Sequence, residues 1–494
     1  MTGSAISTTG RRSIHPAVQF ISRRTQPASL RGALPSRGSR WSGRLTFGTD
    51  NTAAVVVRMH VMNELRIEGV RCFREEQRIP IRPVTLLVGE NSSGKSTVLA
   101  MVRAAWDVAL GRTEPDFNEQ PFDLGGFDAI AHHQGGRTKR TREFKIGGDF
   151  SLSGRSKDPV RSVTGTFTER IGQPVMSAWS ALHGDAELSL DASDPEHIHV
   201  IARQQRSILI DERLRGNRRA ASLVFDTFLT ARARVMEAAA KGGVGLNNVV
   251  DIWNLLSLLP IEVRQQPPRP FAGAPIRSKP ERTYDPKRGL REPEGSHVPM
   301  ELAALNAADP KQFRKLVHDI AEYGKAANLF SKFEVKRLGK KSGDPFQLLV
   351  AADKLAFNLR DVGYGVSQIL PILVDTLSAP QGQTFLLQQP EVHLHPRAQA
   401  ALGSLIVDQA AKRKQTFIVE THSDHLVDRV RMDVRKRGRG KTLAASDVII
   451  LYFERQGGKA TIHPIEVDDH GDLVNVPPGY RQFFLDEERK LLGL

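Results

Sequence analysis

Residues 89–96 read Gly89-Glu90-Asn91-Ser92-Ser93-Gly94-Lys95-Ser96, a complete G-x-x-x-x-G-K-S loop. An apolar run, Val84–Val88, precedes it and reads as a buried strand; Thr97–Val102 follows and reads as the first turns of a helix. Strand, glycine loop and helix start together make an anion trap, because loop N–H groups and the positive helix end converge on one point. Lys95 would reach the β- and γ-phosphates of a nucleotide, and the Ser96 hydroxyl would ligate Mg²⁺. A magnesium nucleotide is therefore the expected ligand, with Gly89, Asn91, Gly94, Lys95, Ser96 and Thr97 around the phosphates. The flanking strand and helix make a chance match of eight residues an unsatisfactory explanation.

Three further stretches carry chemistry. Asp361–Gln368 places Gly363 and Gly365 before a Ser367-Gln368 pair that opens a helix. Glycines allow close backbone approach and a helix start favours an anion; an ordinary glycine turn with a serine cap is the alternative. Thr384–Pro396 is an apolar strand ending in Gln388, Gln389 and then Glu391. A Mg-nucleotide site ordinarily has an acid at such a strand end, and this chain offers glutamines first. His393 and His395 could suggest a metal site, but without cysteines or further clustered ligands that reading is the weaker one. Thr416–Asp424 is a second apolar strand ending in polar groups, with His422 placed to touch a γ-phosphate or its attacking water. A satisfied histidine at a strand end is the alternative.

The elements that must hold these residues follow from periodicity. Asn63–Ile81 alternates like an antiparallel pair feeding the loop's strand, and 122–210 contains short alternating stretches such as Glu143–Ile146, Ser162–Thr168 and His197–Ala202. Helices are expected over 218–258, with Leu223, Phe225, Phe228 and Leu229 as an apolar stripe, near Val249–Leu259, and over Pro310–Ala327. The segment 265–300 is too rich in proline, arginine and glycine for regular structure. From Phe346 onward strands and helices alternate (Thr384–Leu387, 396–413, Thr416–Val419, 424–435, Val448–Phe453), which argues for a mainly parallel sheet covered by helices.

Length allows two or three domains. No apolar run approaches the roughly 20 residues that span a bilayer. A lone cysteine, Cys72, excludes an intrachain disulfide framework and suits a reducing cytoplasm. The net charge of +15 is concentrated at the start, where residues 1–58 hold nine arginines against one acid, Asp50. That segment reads as a nucleic-acid-binding tail, a targeting peptide, or an upstream extension with translation beginning at Met59 or Met62. The extension is preferred because periodic structure starts only at Asn63. The cluster Arg431, Arg435, Lys436, Arg437, Arg439 and Lys441 raises DNA binding as a rival function, against a solvated helix end and loop.

The four motifs in this order resemble the ABC-type ATPase heads of the RecF, SMC and OLD group, and most closely stand-alone AAA-family ATPases of the OLD-like kind. The resemblance spans roughly 62–494. It implies an α/β fold: a P-loop ATPase head with a mainly parallel sheet flanked by helices, an antiparallel β subdomain and a helical insertion. The expected division is a disordered basic extension at 1–61, the first half of the head with the β subdomain at 62–210, and a helical, proline-rich insertion at 211–345. The second half of the head then covers 346–467 and a small C-terminal module 468–494. By residue it makes Gly94, Lys95, Ser96 and Thr97 the phosphate and Mg²⁺ contacts, and Gly365 and Ser367 the contacts to a partner's γ-phosphate. Gln388 and Gln389 stand where the family's Walker B acids usually are, so either Glu391 supplies the carboxylate or Mg²⁺ is held mainly by Ser96, the phosphates and water; Leu394 and His395 fall in the D-loop, and His422 is the switch. Pro275-Ile276-Arg277 with Pro280, Arg282 and Tyr284 also resembles a family stretch. The function implied is a slow ATPase that dimerises on ATP and regulates a partner nuclease or toxin, or a DNA transaction, in phage defence or repair. No Toprim nuclease is expected after Val467. A nucleotide-gated module with little hydrolysis is the alternative.

Overall fold

The computed structural model describes residues 61–112, 115–133, 140–151, 160–194, 196–204, 207–215, 269–286, 291–341, 343–352, 355–435, 443–456 and 459–492. The basic extension, the helices expected within 218–258 and Lys436–Lys441 lie outside them. The chain begins with β1 (Val61–Glu68), β2 (Gln77–Pro80), β3 (Val84–Gly89), α1 (Lys95–Ala109) and the single-turn α2 (Phe127–Ile130). It continues with β4 (Glu143–Ser151), β5 (Arg161–Arg170), β6 (Gln173–His183), β7 (Ala186–Asp191), β8 (His197–Gln204) and β9 (Ser207–Arg215). After β10 (Phe271–Gly273) come α3 (Val298–Ala308), α4 (Pro310–Ala327), β11 (Lys332–Arg337), β12 (Phe346–Ala352) and β13 (Leu355–Asn358). The last part holds α5 (Tyr364–Ser378), β14 (Thr384–Gln388), α6 (Pro396–Arg413), β15 (Thr416–Glu420), α7 (Asp424–Arg435), β16 (Val448–Gln456), β17 (Lys459–Val467), β18 (Leu473–Val474) and α8 (Gln482–Leu492).

Two large sheets organise these elements. One has the order β2-β1-β4-β5-β6-β7-β8-β9 and is antiparallel throughout. The other runs β10-β14-β15-β3-β16-β17-β18, parallel from β10 to β16 and antiparallel beyond. In β3 the pleat sends Val84, Leu86 and Val88 to one core and Leu87 to the other, so the strand is apolar on both faces.

Helix α1 is clamped between the two sheets. Every residue of α1 except Ser96 is buried, which the sequence foreshadows by being apolar nearly all round. Its core partners come from the antiparallel sheet (Ile67, Phe150, Val163) and from the mixed sheet (Leu87, Ile418, Leu451). Its polar residues are paired. Arg103 donates to Gln120 O at 2.8 Å and meets Glu119, and Asp107, 1 % exposed, is held by Arg112 at 3.2 Å and by Arg269. Burial raises the Asp107 carboxyl pKa, against the downward pull of Arg269 and Arg112. Trp179 Nε1 donates to Val108 O at 3.0 Å and fixes the helix's far end to β6.

The structure departs from the sequence expectations in the middle of the chain. The segment 265–300 is not wholly irregular: β10 adds a short edge to the mixed sheet, and α3 begins at Val298. Three residues are too few for a period, and Pro299 sits at the start of α3, where a missing N–H costs nothing. The three-stranded sheet β11-β12-β13 pairs Lys332–Arg337 with Phe346–Ala352, so the expected boundary at 345 falls inside one sheet. Beyond β17, residues 468–494 contain β18 and α8.

If α1 is the shared core of both sheets, Leu99→Ala, at a site with 0 % exposure, should cost about 2–5 kcal/mol in urea unfolding. A loss below about 0.5 kcal/mol would contradict the clamp.

Candidate functional site

The loop leaves β3 at its carboxyl end, between β15 and β16. Two glycines fit because nothing larger would. Gly89 has φ 132°, and a Cβ there would stand 2.2 Å from Phe453 O on β16. Gly94, the N-cap of α1, has φ 105°, and its Cβ would meet the Phe73 ring at 2.7 Å and Cys72 Sγ at 2.8 Å. The turn after β1 therefore buttresses the loop from behind. Ser93 Oγ donates to Glu90 O at 2.7 Å, while Glu90, Asn91 and Ser92 stay exposed at the tip. The first turn of α1 carries no acid, so its N–H groups face outward without competition for an anion.

Lys95 is buried and Nζ donates to Gly89 O at 2.9 Å and Glu90 O at 2.5 Å. Burial pulls its pKa down, against the upward effect of Glu420 and Glu90. The exposed Ser96 donates through Oγ to Glu420 Oε2 at 2.7 Å. Thr97 is buried, and Arg71 Nη1 reaches its hydroxyl at 3.5 Å while the same guanidinium binds Ala129 O and Leu124 O, both at 3.2 Å.

Across the sheet, Gln388 closes β14 and is the register partner of Glu420 on β15. Gln389 turns with φ 42°, and its N–H donates to Glu420 O at 2.8 Å. Glu391 is 6 % exposed and its Oε1 accepts the His422 N–H at 2.7 Å. Its Oε2 has no hydrogen-bond partner, and neither does Nη1 of Arg277, which is 3 % exposed. Burial raises the Glu391 pKa, with the His422 amide, the Thr421 hydroxyl and Arg277 opposing it. Burial also lowers the His422 pKa, helped by Lys95 and opposed by Glu420, so its imidazole is neutral at pH 7. The two histidines of the third motif do not converge on a metal. His395 caps α6 through Nδ1, and the exposed His393 ring meets Tyr364 edge-on at 4.8 Å.

At the start of α5, Gly363 is the exposed N-cap with no side-chain bond, and no acid stands in the first turn. Gly365 lies against the third motif, where a Cβ would be 2.8 Å from His393 O. Ser367 is placed differently from expectation. It is 5 % exposed and its Oγ donates to Tyr364 O at 2.8 Å, so the hydroxyl closes its own helical turn and the outward groups are the backbone of Gly363 and its neighbours. Gln368, 1 % exposed, clasps Arg277: Oε1 accepts its N–H at 3.3 Å and Nε2 donates to its carbonyl at 3.4 Å. Arg282 pairs with Asp361 at 2.9 and 2.6 Å, tying the rest of that stretch to the same helix start.

Glu420 and Arg71 were not singled out from sequence, and Arg277 and Gln368 stood there only within the 275–284 stretch and the second motif, without a role of their own. Glu420 had a signal, because it ends its apolar strand as Gln388 ends the neighbouring one. Arg71 had none, since its partners are remote in sequence, and the clasp of Gln368 on Arg277 spans 91 positions. In the basic cluster proposed for DNA, Arg431 is engaged with Asp428 at 2.9 Å and with Gly471 O at 2.9 Å. One group of acids and histidine elsewhere, His297, Glu301 and Asp375, has cation-binding proximity. There, however, Arg291 binds Asp375 at 2.7 Å, and His297 Nδ1 accepts the Glu292 N–H at 3.1 Å, so its Nε2 carries the proton facing Asp375. It is a closed ion cluster fastening α3 to α5.

The residues present suit a magnesium nucleotide. An acid-free helix start and Lys95 face phosphate, Ser96 and Glu420 offer hard oxygen donors, and the buried Glu391 and Arg277 each keep one polar atom without a protein partner. A cleft of about 540 Å³ beside the loop, lined by Gly89, Glu90, His422, Asp424, Tyr452 and Arg481 among others, gives access to it. The raised Glu391 pKa also sets a pH dependence. The folded protein holds a proton that the unfolded chain has released, so stability falls as pH rises above the ordinary value of 4.5. Glu391→Gln removes that loss. Its melting temperature relative to the parent should rise from about pH 5 toward pH 8; a pH-independent difference would contradict the buried carboxylate.

Three family models match the chain. One, described as "AAA domain, putative AbiEii toxin, Type IV TA system", covers residues 272–428; one described as "AAA domain" covers 64–173; a "Protein of unknown function (DUF3696)" model covers 443–493. No curated protein matches. Among solved structures, the SMC head bound to the C-terminal winged-helix domain of ScpA is 12% identical, covering 82% of this chain and 97% of that one, with a TM-score of 0.42. The SMC head with an extended coiled coil bound to the C-terminal domain of ScpA from Pyrococcus furiosus is 10% identical, covering 87% and 98%, with a TM-score of 0.37. The SMC head domain from Thermotoga maritima is 11% identical, covering 82% and 99%, with a TM-score of 0.35. The phosphate loop thus falls in one AAA match and the Gly363, Gln388, Glu391 and His422 segments in the other, and the chain is a protein carrying AAA-family domains.

Proposed function

We propose that this chain is an ATPase that binds MgATP at residues 89–97 and acts as a pair of heads, each closing the α5 start over the other's nucleotide. The observation that carries the reading is the phosphate loop clamped at an acid-free helix start, with Lys95 and Ser96 at its mouth. The exposed, uncapped backbone at Gly363 supports the paired arrangement, because a second bare helix start needs an anion and the loop of its own chain already serves one. ATP would supply the reactive phosphoryl group and Mg²⁺ its charge neutralisation. Within the chain, Glu391 has the features of a general base: a raised pKa and one free carboxylate oxygen. The His422 amide holds its other oxygen, while the neutral imidazole of His422 lies at the cleft and would report the γ-phosphate.

Glutamines at 388 and 389 support slow turnover, and they also favour a second reading in which nucleotide gates binding with little hydrolysis. DNA binding is not the preferred output; the toxin description of the matching family supports control of a protein effector, a nuclease or toxin, and the lone cysteine favours the cytoplasm as its place. Among the described residues no helix is long and apolar enough to cross a membrane.

Lys95→Ala should abolish binding of a fluorescent ATP analogue and phosphate release. Gly363 has φ −54°, and a side chain there meets nothing within 4 Å, so Gly363→Glu should fold normally. It would set a carboxylate against the partner's γ-phosphate. ATP binding should persist while ATP-dependent dimerisation, followed by light scattering, disappears. A parent protein that binds ATP yet stays monomeric would overturn the paired arrangement.

A further inference from the structure

We propose that Glu420, at the end of β15, is the acid that holds the nucleotide's Mg²⁺ through Ser96, replacing the acid missing from the end of β14. This rests on the nucleotide site proposed above and adds to it a residue that takes over the metal-facing role.

The geometry supports the transfer in three steps. First, β15 lies directly beside β3, the strand that launches the phosphate loop, and β14 is one strand further out. Gln388 and Glu420 are register partners in a parallel ladder, so their side chains share a face of the sheet. The acid has moved about 4.8 Å sideways, one strand spacing, toward the loop. Second, the Ser96 hydroxyl already gives its proton to Glu420 Oε2 at 2.7 Å. A hydroxyl whose proton is taken by a carboxylate turns its lone pairs the other way, toward the loop mouth where a cation would sit. Third, the rival acids are otherwise disposed. Gln388 and Gln389 carry no charge, and Glu391 is turned to the His422 amide, 6 % exposed and beside Arg277, whose cation repels a metal.

Magnesium keeps several waters and takes one or two carboxylates besides phosphate oxygens, so a single well-placed glutamate suffices. The two acids then divide the work. Glu420 serves the metal through Ser96, and Glu391 remains free for the attacking water. The paired glutamines need not imply a site without magnesium.

The test is Mg²⁺ titration of fluorescent ATP-analogue binding to the full chain, with a parallel series in EDTA. In the parent, Mg²⁺ should tighten binding. Glu420→Gln, which can still accept the Ser96 hydroxyl, should keep the EDTA affinity and weaken the apparent Mg²⁺ affinity by at least about tenfold. Ser96→Ala should behave in the same way, and adding Gln388→Glu to Glu420→Gln should recover part of the loss. Should Glu420→Gln lower stability, Glu420→Asp keeps the charge and should fall between it and the parent. Unchanged Mg²⁺ dependence in Glu420→Gln overturns the proposal, as does its loss in Glu391→Gln instead. A parent that binds no nucleotide in either series would refute the nucleotide site itself.

Discussion

The burial of α1 between two sheets is the constraint on which the rest of the structure depends. An apolar helix has no solvent face to lose, so it can be held from both sides, and here each side does something different. The antiparallel sheet grips its length through Phe150 and Val163, and Trp179 pins its end. The mixed sheet sets the height of its first turn, because β3 feeds directly into it. Only Ser96 escapes burial. A helix start fixed in this way presents its N–H groups and Lys95 at a defined point, and an electrostatic site works by being organised before its ligand arrives.

Around that point charge is arranged by burial more than by proximity alone. Glu420 lies close enough to favour the charged form of Lys95, whereas Glu391 and Arg277 are taken out of water and left each with an unpartnered atom. A buried polar atom without a partner costs about 1–3 kcal/mol. That cost is tolerable where a ligand or its water completes the bond, which is why such atoms concentrate at sites that do chemistry. The second motif bears on the same place. Gln368 clasps the Arg277 backbone while Tyr364 and Gly365 pack on the 391–395 loop, so the α5 start, the arginine and the buried glutamate form one connected body.

The elements legible in the sequence were those with strong local signals. Helices Pro310–Ala327, 396–413 and 424–435 stand where their periodicity, Pro starts and flanking strands put them. The antiparallel sheet was visible as alternation in β4, β5 and β8. The short β10 was not, because three residues have no period and its reason for being a strand is the neighbour Phe385–Leu387. Nor was the pairing of β11 with β12 across an expected boundary, since register between strands is a property of both. Ser367 read as a contact to a partner's phosphate, with a serine cap as the alternative; the helix begins at Tyr364, three residues earlier, and the hydroxyl turns inward.

The sequence by itself determined the loop, its lysine and serine, and the helix that carries them, because all are neighbours along the chain and their chemistry is set by spacing. It also determined that the usual acids at the end of β14 are glutamines. What replaces them was decided only by tertiary structure. Ser96 and Glu420 stand 324 positions apart and meet because β15 inserts between β14 and the loop's own strand. A hydrogen bond made across a sheet depends on strand order, and strand order is fixed by the packing of the whole domain.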